Sequence, residues 1–133
     1  MKKLLIAAII SLSSVTTAAV AEVKVGIILG FTGPIESLTP AMRDGARMAF
    51  DEASNSGNLL GGETITILEA DSTCVDSAAA TAAAEQLVAD GVSAIMGADC
   101  SGVTGAINAN VAVPNGVLMV SPSATSPGLS KIA

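Results

Sequence analysis

The sequence contains no histidine, tryptophan or tyrosine, and it has only two phenylalanines and two cysteines. Without histidine, the chain cannot form a Ser-His-Asp triad, a Cys-His pair or a His-ligated metal site. With so few aromatic residues, its core must consist of Ala, Val, Ile, Leu and Met, which is typical of tightly packed α/β layers. Most hydrolase mechanisms are therefore excluded, and the sequence predicts no catalytic residues, no metal and no cofactor.

Basic residues are scarce as well. The formal net charge is −6, and beyond position 21 the basic residues are Lys24, Arg43, Arg47 and Lys131, against all 12 acidic residues. Because nucleic acids are polyanions, a chain with this charge balance is not expected to bind them.

The first 21 residues have the pattern of a secretory signal. Two lysines at positions 2 and 3 precede the apolar run LLIAAII, and the segment ends in Ala19-Val20-Ala21. This pattern predicts cleavage before Glu22, and the apolar run is too short to span a bilayer. The sequence therefore predicts a mature chain, residues 22–133, that is exported.

Strand-like and helix-like segments alternate along the mature chain. Apolar, β-branched runs predict four strands, and segments with apolar residues at helical spacing predict three helices between them. Thr39 and Asp76 are the predicted N-caps of the first two helices. The strands are predicted at 23–30, 64–70, 92–97 and 117–120, and the helices at 40–56, 77–90 and about 103–113.

This alternation predicts an α/β fold with a parallel sheet, helices on both faces and the flavodoxin-like strand order 2-1-3-4. In open sheets of this kind, ligands bind outside the carboxyl ends of the strands. In the predicted topology the loops 31–38, 98–102 and 121–126 meet there. A nucleotide site is not indicated, because the glycines at 26, 30 and 33 fit neither G-x-G-x-x-G nor P-loop spacing.

Two acidic pairs, Asp51-Glu52 and Glu69/Asp71, are the other candidates for acid and base chemistry. The first pair lies off the apolar face of its helix, and both pairs are better interpreted as a solvated surface. The chain is therefore interpreted as a non-enzymatic protein.

The stretch GADCSGV raises the question of what Cys100 does. As a nucleophile it lacks a histidine base, and as a metal ligand it lacks suitable partners. In the predicted topology Cys74 and Cys100 lie in loops after strands whose carboxyl ends are close together at one edge of the sheet, so a disulfide between them is geometrically plausible. Closing the intervening 25 residues is worth roughly 3 to 4 kcal/mol. A disulfide is favoured, and two free thiols remain the alternative.

Ser101 lies at the start of the third predicted helix, where free amides carry partial positive charge. By itself it is readily explained as a helix cap. A second hydroxyl-rich loop, SPSATSP at 121–127, ends the next strand at the same edge of the sheet. Together, the two segments are suited to hold a small carboxylate without reacting with it.

Several segments in order resemble a known family. They are TGP at 32–34, GNLLGG, ADSTC, GVSAIMGADCS and GVLMVSPSATSPGLS. The chain is similar to the amino-terminal part of the type I periplasmic substrate-binding proteins of ABC transporters, in their branched-chain amino-acid (Leu/Ile/Val) binding subgroup. The resemblance covers nearly the whole mature chain.

The resemblance implies a two-lobed protein that captures an amino acid and presents it to an inner-membrane permease. It implies ligand contacts from the hydroxyl and amide of Ser101, from Thr125, from the Ser123 carbonyl and from Ala124, with further contacts possible at Ile35 and Glu36. It also implies a Cys74–Cys100 disulfide, a periplasmic location and a monomeric full-length protein.

Two departures from the family pattern bear on function. Glu36 occupies a position where relatives carry small or apolar residues, which leaves an amide-type or polar ligand open. The chain is also short, so residues 22–133 are expected to form the amino-terminal part of an incomplete first lobe, without the second lobe. A sensory or regulatory receptor of the same fold and a non-functional truncated product are the remaining alternatives.

Overall fold

The computed structural model of the protein describes residues 22–59 and 61–131, so the predicted signal at 1–21 lies outside the described residues. Within these ranges, no helix is long and apolar enough to cross a membrane. The elements, in chain order, are β1 (Glu22–Leu29), α1 (Thr39–Asn55), β2 (Thr64–Asp71), α2 (Ser77–Ala89), β3 (Ala94–Gly97), α3 (Ser101–Ile107), a π-helical segment (Asn108–Ala112), α4 (Val113–Asn115), β4 (Leu118–Val120) and a 3-10 helix (Pro127–Lys131).

The four strands form one parallel sheet in the order β2-β1-β3-β4, which confirms the predicted order. β1 pairs with β2 from Glu22 opposite Thr64 to Leu29 opposite Asp71, and β3 pairs with both β1 and β4. Since all strands run in the same direction, their carboxyl ends lie at one side of the sheet, called the carboxyl edge below. The loops that leave this edge are 30–38, 72–76, 98–100 and 121–126.

One face of the sheet is covered by α2, α3 and the π-helical segment. Ala80 and Ala84 of α2 have no exposed surface, and such small side chains let the helix lie close to the strands. A Cβ atom on Gly26 of β1 would lie 2.9 Å from Leu87 Cδ1, so this position is occupied by glycine where α2 passes closest. The core of this face consists of Ile28, Ala80, Ala84, Leu87, Val92, Ile95, Ala98, Val103, Ile107 and Val111.

The opposite face is covered unequally. α1 is linked to β2 by the Arg47–Glu69 ion pair, with 2.7 Å between Nη2 and Oε1. Beside α1 an apolar hollow of about 390 Å³ remains over β3 and β4, and Leu118 and Val120 of β4 are 66% and 59% exposed. Helices do lie on both faces, as predicted, but β3 and β4 have little cover on this side. The hollow is lined by Val25, Ala46, Ala49, Phe50, Ala94, Ile95, Met96, Leu118 and Val120.

α1 begins without the predicted N-cap. Thr39 is the first helical residue and is fully buried, while Leu38 holds the cap position without a side-chain bond to the helix. The Thr39 hydroxyl donates to the Glu36 carbonyl at 3.0 Å. The prediction that Thr39 caps the free amides is therefore wrong, because the turns of the preceding loop run directly into the helix and direct this hydroxyl back to the loop.

α2 begins and ends where the sequence predicts. Asp76 Oδ1 accepts the amides of Ala78 and Ala79 at 2.9 and 3.0 Å, which confirms the predicted cap. Gly91 follows the helix with φ of +88°, a left-handed conformation that favours glycine.

α3 begins at Ser101, two residues earlier than predicted, and helical backbone continues through the π-helical segment to Asn115. Pro114 lies inside the last turn instead of ending the helix. A proline has no amide hydrogen, and in a regular α-helix its ring clashes with the carbonyl four residues earlier. The wider π turn that precedes Pro114 accommodates it.

Candidate functional site

A disulfide joins two loops at the carboxyl edge. Cys74 and Cys100 are bonded, with 5.2 Å between their Cα atoms, so the predicted pairing is present. Thr73 and Cys74 have φ of 56° and 69°, a left-handed conformation that non-glycine residues rarely adopt. The crosslink therefore joins the loop after β2 to the start of α3 at a turn with left-handed backbone.

Ser101 connects the start of α3 to the loop after β4. Its Oγ accepts the amides of Thr125 and Ser126, each at 3.1 Å. The structure thus brings together the two hydroxyl-rich segments that the sequence indicated. Both acceptor positions of the Ser101 hydroxyl are occupied by these amides, so the hydroxyl can form a further hydrogen bond only as a donor.

The loop 121–126 is also tied to the turn between β3 and α3. The Ser121 hydroxyl donates to the Ala98 carbonyl and accepts the amide of Ala124 at 2.9 Å. The Ser123 hydroxyl donates to the Asp99 carbonyl at 2.9 Å. The Ser123 side chain therefore points back to the turn.

The carboxylate of Asp99 lies beneath these loops and is only 3% exposed. Its Oδ2 accepts the amide of Gly30 at 2.8 Å, and its Oδ1 accepts the amide of Cys100 at 3.0 Å and the hydroxyl of Ser72 at 3.3 Å. These three donors follow β1, β3 and β2, respectively. One buried side chain therefore joins the ends of three strands.

Asp71, at the end of β2, holds the loop after β1. Its carboxylate accepts the hydroxyl and the amide of Thr32 at 2.5 and 3.3 Å and the amide of Thr73 at 2.8 Å. Partial burial acts to raise the pKa of Asp71, but hydrogen bonds from Thr32, Thr73 and Phe31 outweigh it and lower that pKa below its ordinary value. Asp71 is partly exposed, as a surface position would be, and it also holds the loop after β1 in place.

The other members of the acidic pairs lie on the surface. Glu69 is exposed and pairs with Arg47, and Asp51 and Glu52 are exposed on α1. Within 22–59 and 61–131, no group of three or more Cys, Asp and Glu side chains is arranged to hold a metal ion.

Ile35 and Glu36 lie in the loop 30–38 at the same edge. Ile35 is half-buried and Glu36 is exposed. Their backbone closes the turns of this loop, with the amide of Leu38 donating to the Ile35 carbonyl at 2.9 Å. In the described part of the chain no hydrogen bond links either residue to Ser101 or to the loop 121–126, so their role as ligand contacts stays a prediction.

Sequence reasoning missed the residues that hold these loops in place, namely Thr32, Asp71, Ser72 and Asp99. A signal for them exists, since each lies within three residues of the carboxyl end of a strand. Which loop amides these side chains meet depends on the order of the strands, and single residues of these types are common in loops.

The chain is similar to a known protein family and to several of its members. The sequence profile of the family described as periplasmic binding protein matches residues 22–131. The Leu/Ile/Val-binding protein BraC3 of Rhizobium johnstonii is 34% identical over 111 residues, which are 84% of this chain and 29% of the relative. The leucine-specific-binding protein of Salmonella typhimurium is 31% identical over 129 residues, which are 97% of this chain and 34% of the relative.

A solved structure has a similar fold. The branched-chain amino acid transporter substrate-binding protein LivJ from Streptococcus pneumoniae, in complex with isoleucine, superimposes with a TM-score of 0.75 and 34% identity. The match covers 84% of this chain and 31% of the LivJ chain. The chain thus spans between 29% and 34% of the length of these similar proteins.

Proposed function

Because this chain belongs to the periplasmic binding protein family, we propose that it carries ligand-binding elements of an extracytoplasmic substrate-binding protein that captures an amino acid for an ABC transporter. A branched-chain amino acid is the favoured ligand. Two similar proteins are named for binding leucine or Leu/Ile/Val, and a third was solved with isoleucine.

The proposal rests on the hydrogen bonds that the Ser101 hydroxyl already makes. Its oxygen already accepts two amides from the loop 121–126, so toward a ligand it acts as a donor. A donor at the start of a helix, beside free amides, favours an anionic acceptor such as an α-carboxylate. In the proposed complex the Thr125 hydroxyl also binds the carboxylate, and the backbone at Ser123 and Ala124 faces the α-ammonium. Ser101 and the segment 123–125 are called the ligand grip below.

We further propose that residues 22–131 belong to the first of two lobes. Thr125 is exposed and Ser101 is half-exposed, so a ligand held only at this edge would remain in contact with water. A second lobe that closes over the ligand would exclude water and supply an acidic partner for the ammonium group. The proposed protein is a monomer that is exported by the signal at 1–21, performs no catalysis and delivers its ligand to an inner-membrane permease.

The test is calorimetric titration of the complete gene product with L-leucine, L-isoleucine and L-valine. We expect saturable binding of at least one of them. Removing the donor in Ser101→Ala is expected to weaken that binding about tenfold or more. Ser93→Ala is the matched control, because Ser93 is exposed and precedes β3 at the opposite edge of the sheet, and it should bind like the wild type.

Two results would contradict the proposal. The first is a folded wild-type protein that binds none of the three amino acids, and the second is equal affinity in the wild type and Ser101→Ala. Titration with L-glutamine and acetamide tests the amide-type alternative that Glu36 raises. Binding of these two alone would replace the branched-chain ligand with an amide.

A further inference from the structure

We propose that Asp99 is a positioning residue for the ligand-binding edge, and that it sets the affinity of the site through the loops that it holds. This inference rests on the proposed function. Asp99 is buried, with only 3% of its surface exposed. Its side chain therefore acts on the ligand only through Gly30, Ser72 and Cys100, whose donors the carboxylate accepts.

The position of Asp99 in the chain connects it directly to the grip. The amide of Cys100, which it accepts, belongs to the residue that precedes Ser101. The carbonyl of Asp99 accepts the hydroxyl of Ser123 from the loop 121–126. One residue thus contacts the segment before Ser101 with its side chain and the opposite loop with its backbone, so a shift of Asp99 moves both halves of the grip.

The three donors require a carboxylate. An ionised aspartate has two oxygens that only accept, and here each oxygen faces a backbone amide, that of Gly30 on one side and that of Cys100 on the other. In an asparagine one oxygen is replaced by an NH₂ group. Whichever way the asparagine side chain is turned, its NH₂ group would then face one of these two backbone N–H groups, donor against donor. Asp99→Asn should therefore displace one loop even though it preserves size and shape.

The room around Gly30 supports the same conclusion. A Cβ atom at this position would lie 3.2 Å from Cys74 Cβ and 3.5 Å from Asp99 Oδ2. The loop after β1 therefore passes close to both the disulfide and the carboxylate. The Asp99 hydrogen bonds determine where the loop 30–38 begins relative to Ser101.

The experiment measures the dissociation constant for L-leucine and L-isoleucine, by titration calorimetry, and the thermal midpoint of the complete gene product and its variants. Asp99→Asn is compared with Leu87→Ala, which removes a 3% exposed core side chain of α2 outside the carboxyl-edge loops. We expect Asp99→Asn to raise Kd by roughly tenfold or more, in line with an unpaired buried amide. Leu87→Ala should lower the thermal midpoint at least as much, with Kd unchanged.

The variant Ser72→Ala removes the longest of the three hydrogen bonds, at 3.3 Å, and should raise Kd less than Asp99→Asn does.

If Asp99→Asn does not fold, the Kd of Ser72→Ala tests the inference instead. A raised Kd with a thermal midpoint above that of Leu87→Ala supports the inference, and a Kd equal to that of the wild type overturns it. Wild-type Kd in folded Asp99→Asn, or a rise in Kd that follows the thermal midpoint in all three variants, overturns it too. A folded wild type that binds none of L-leucine, L-isoleucine and L-valine overturns the proposed function and this inference with it.

Discussion

The carboxyl edge and the apolar hollow differ in what holds them. At the edge, a disulfide, two carboxylates and serine hydroxyls join loops from all four strands, through contacts between residues that are far apart in the sequence. In the hollow, apolar side chains of α1, β3 and β4 line an open space, and Leu118 and Val120 are more than half exposed.

In the described residues, the polar groups and the cysteines of the carboxyl edge have their bonding partners, whereas the apolar side chains of the hollow are only partly covered. Hydrogen bonds and a covalent crosslink are short and directional, so a few partners satisfy them. Apolar burial grows with the area removed from water, so it needs a covering layer. We therefore expect the geometry of the carboxyl edge to depend little on whether the hollow is covered, and four measurements test this comparison.

The largest effect is expected from removing the crosslink at the edge. Replacing both Cys74 and Cys100 by serine should lower the free energy of unfolding by roughly 3 to 4 kcal/mol, because the open chain regains its loop entropy. Urea denaturation at neutral pH measures this. Reductant should destabilise the wild type to the same extent and leave the double variant unchanged, and a wild type insensitive to reductant would contradict the comparison.

A smaller loss is expected when the Asp71 bonds to the loop after β1 are weakened. Asp71→Asn removes the charge that accepts from Thr32 and Thr73, and it should cost about 1 kcal/mol of unfolding free energy. Asp51→Asn is the control, since Asp51 is exposed on α1 and should show no loss. Equal stability of both variants would mean that the loop is held without Asp71.

The pH dependence gives a smaller and more specific signal. Because the pKa of Asp71 is lowered in the folded protein, its contribution to stability is fully present above the unfolded pKa of about 3.9 and is lost as pH falls through the folded pKa. The stability difference between wild type and Asp71→Asn should therefore be constant near neutral pH and shrink below about pH 4. A difference that grows on acidification would contradict the assigned direction.

The smallest effect is expected in the hollow. Leu118→Gln should change the unfolding free energy by less than about 0.5 kcal/mol, as for most surface substitutions, whereas Leu87→Ala in the covered face should cost about 2 to 5 kcal/mol. Urea denaturation of the complete gene product measures both. A cost for Leu118→Gln close to that of Leu87→Ala would show that this face is covered there and would break the comparison.

Much of the fold could be predicted from the sequence, because its signals are local. Runs of β-branched residues, the cap at Asp76 and the glycine after α2 predicted the strands and a helix with its ends. The alternation of strands and helices predicted the sheet order, since parallel connections of this kind are right-handed. The cap of α1 and the bounds of α3 were predicted wrongly, because the turns before Thr39 and the π-helical segment before Pro114 leave no signal in the local pattern.

For the site, the sequence by itself determined which residues are available: one pair of cysteines, two hydroxyl-rich segments after neighbouring strands, and no histidine for catalysis. Only the tertiary structure decided how they are used. It joined Ser101 to the amides of Thr125 and Ser126, buried Asp99 between three strand ends and directed Asp71 to Thr32. The physical reason is that a hydrogen bond requires its partners within about 3 Å in a defined direction, and sequence spacing does not determine that distance for residues brought together by the sheet.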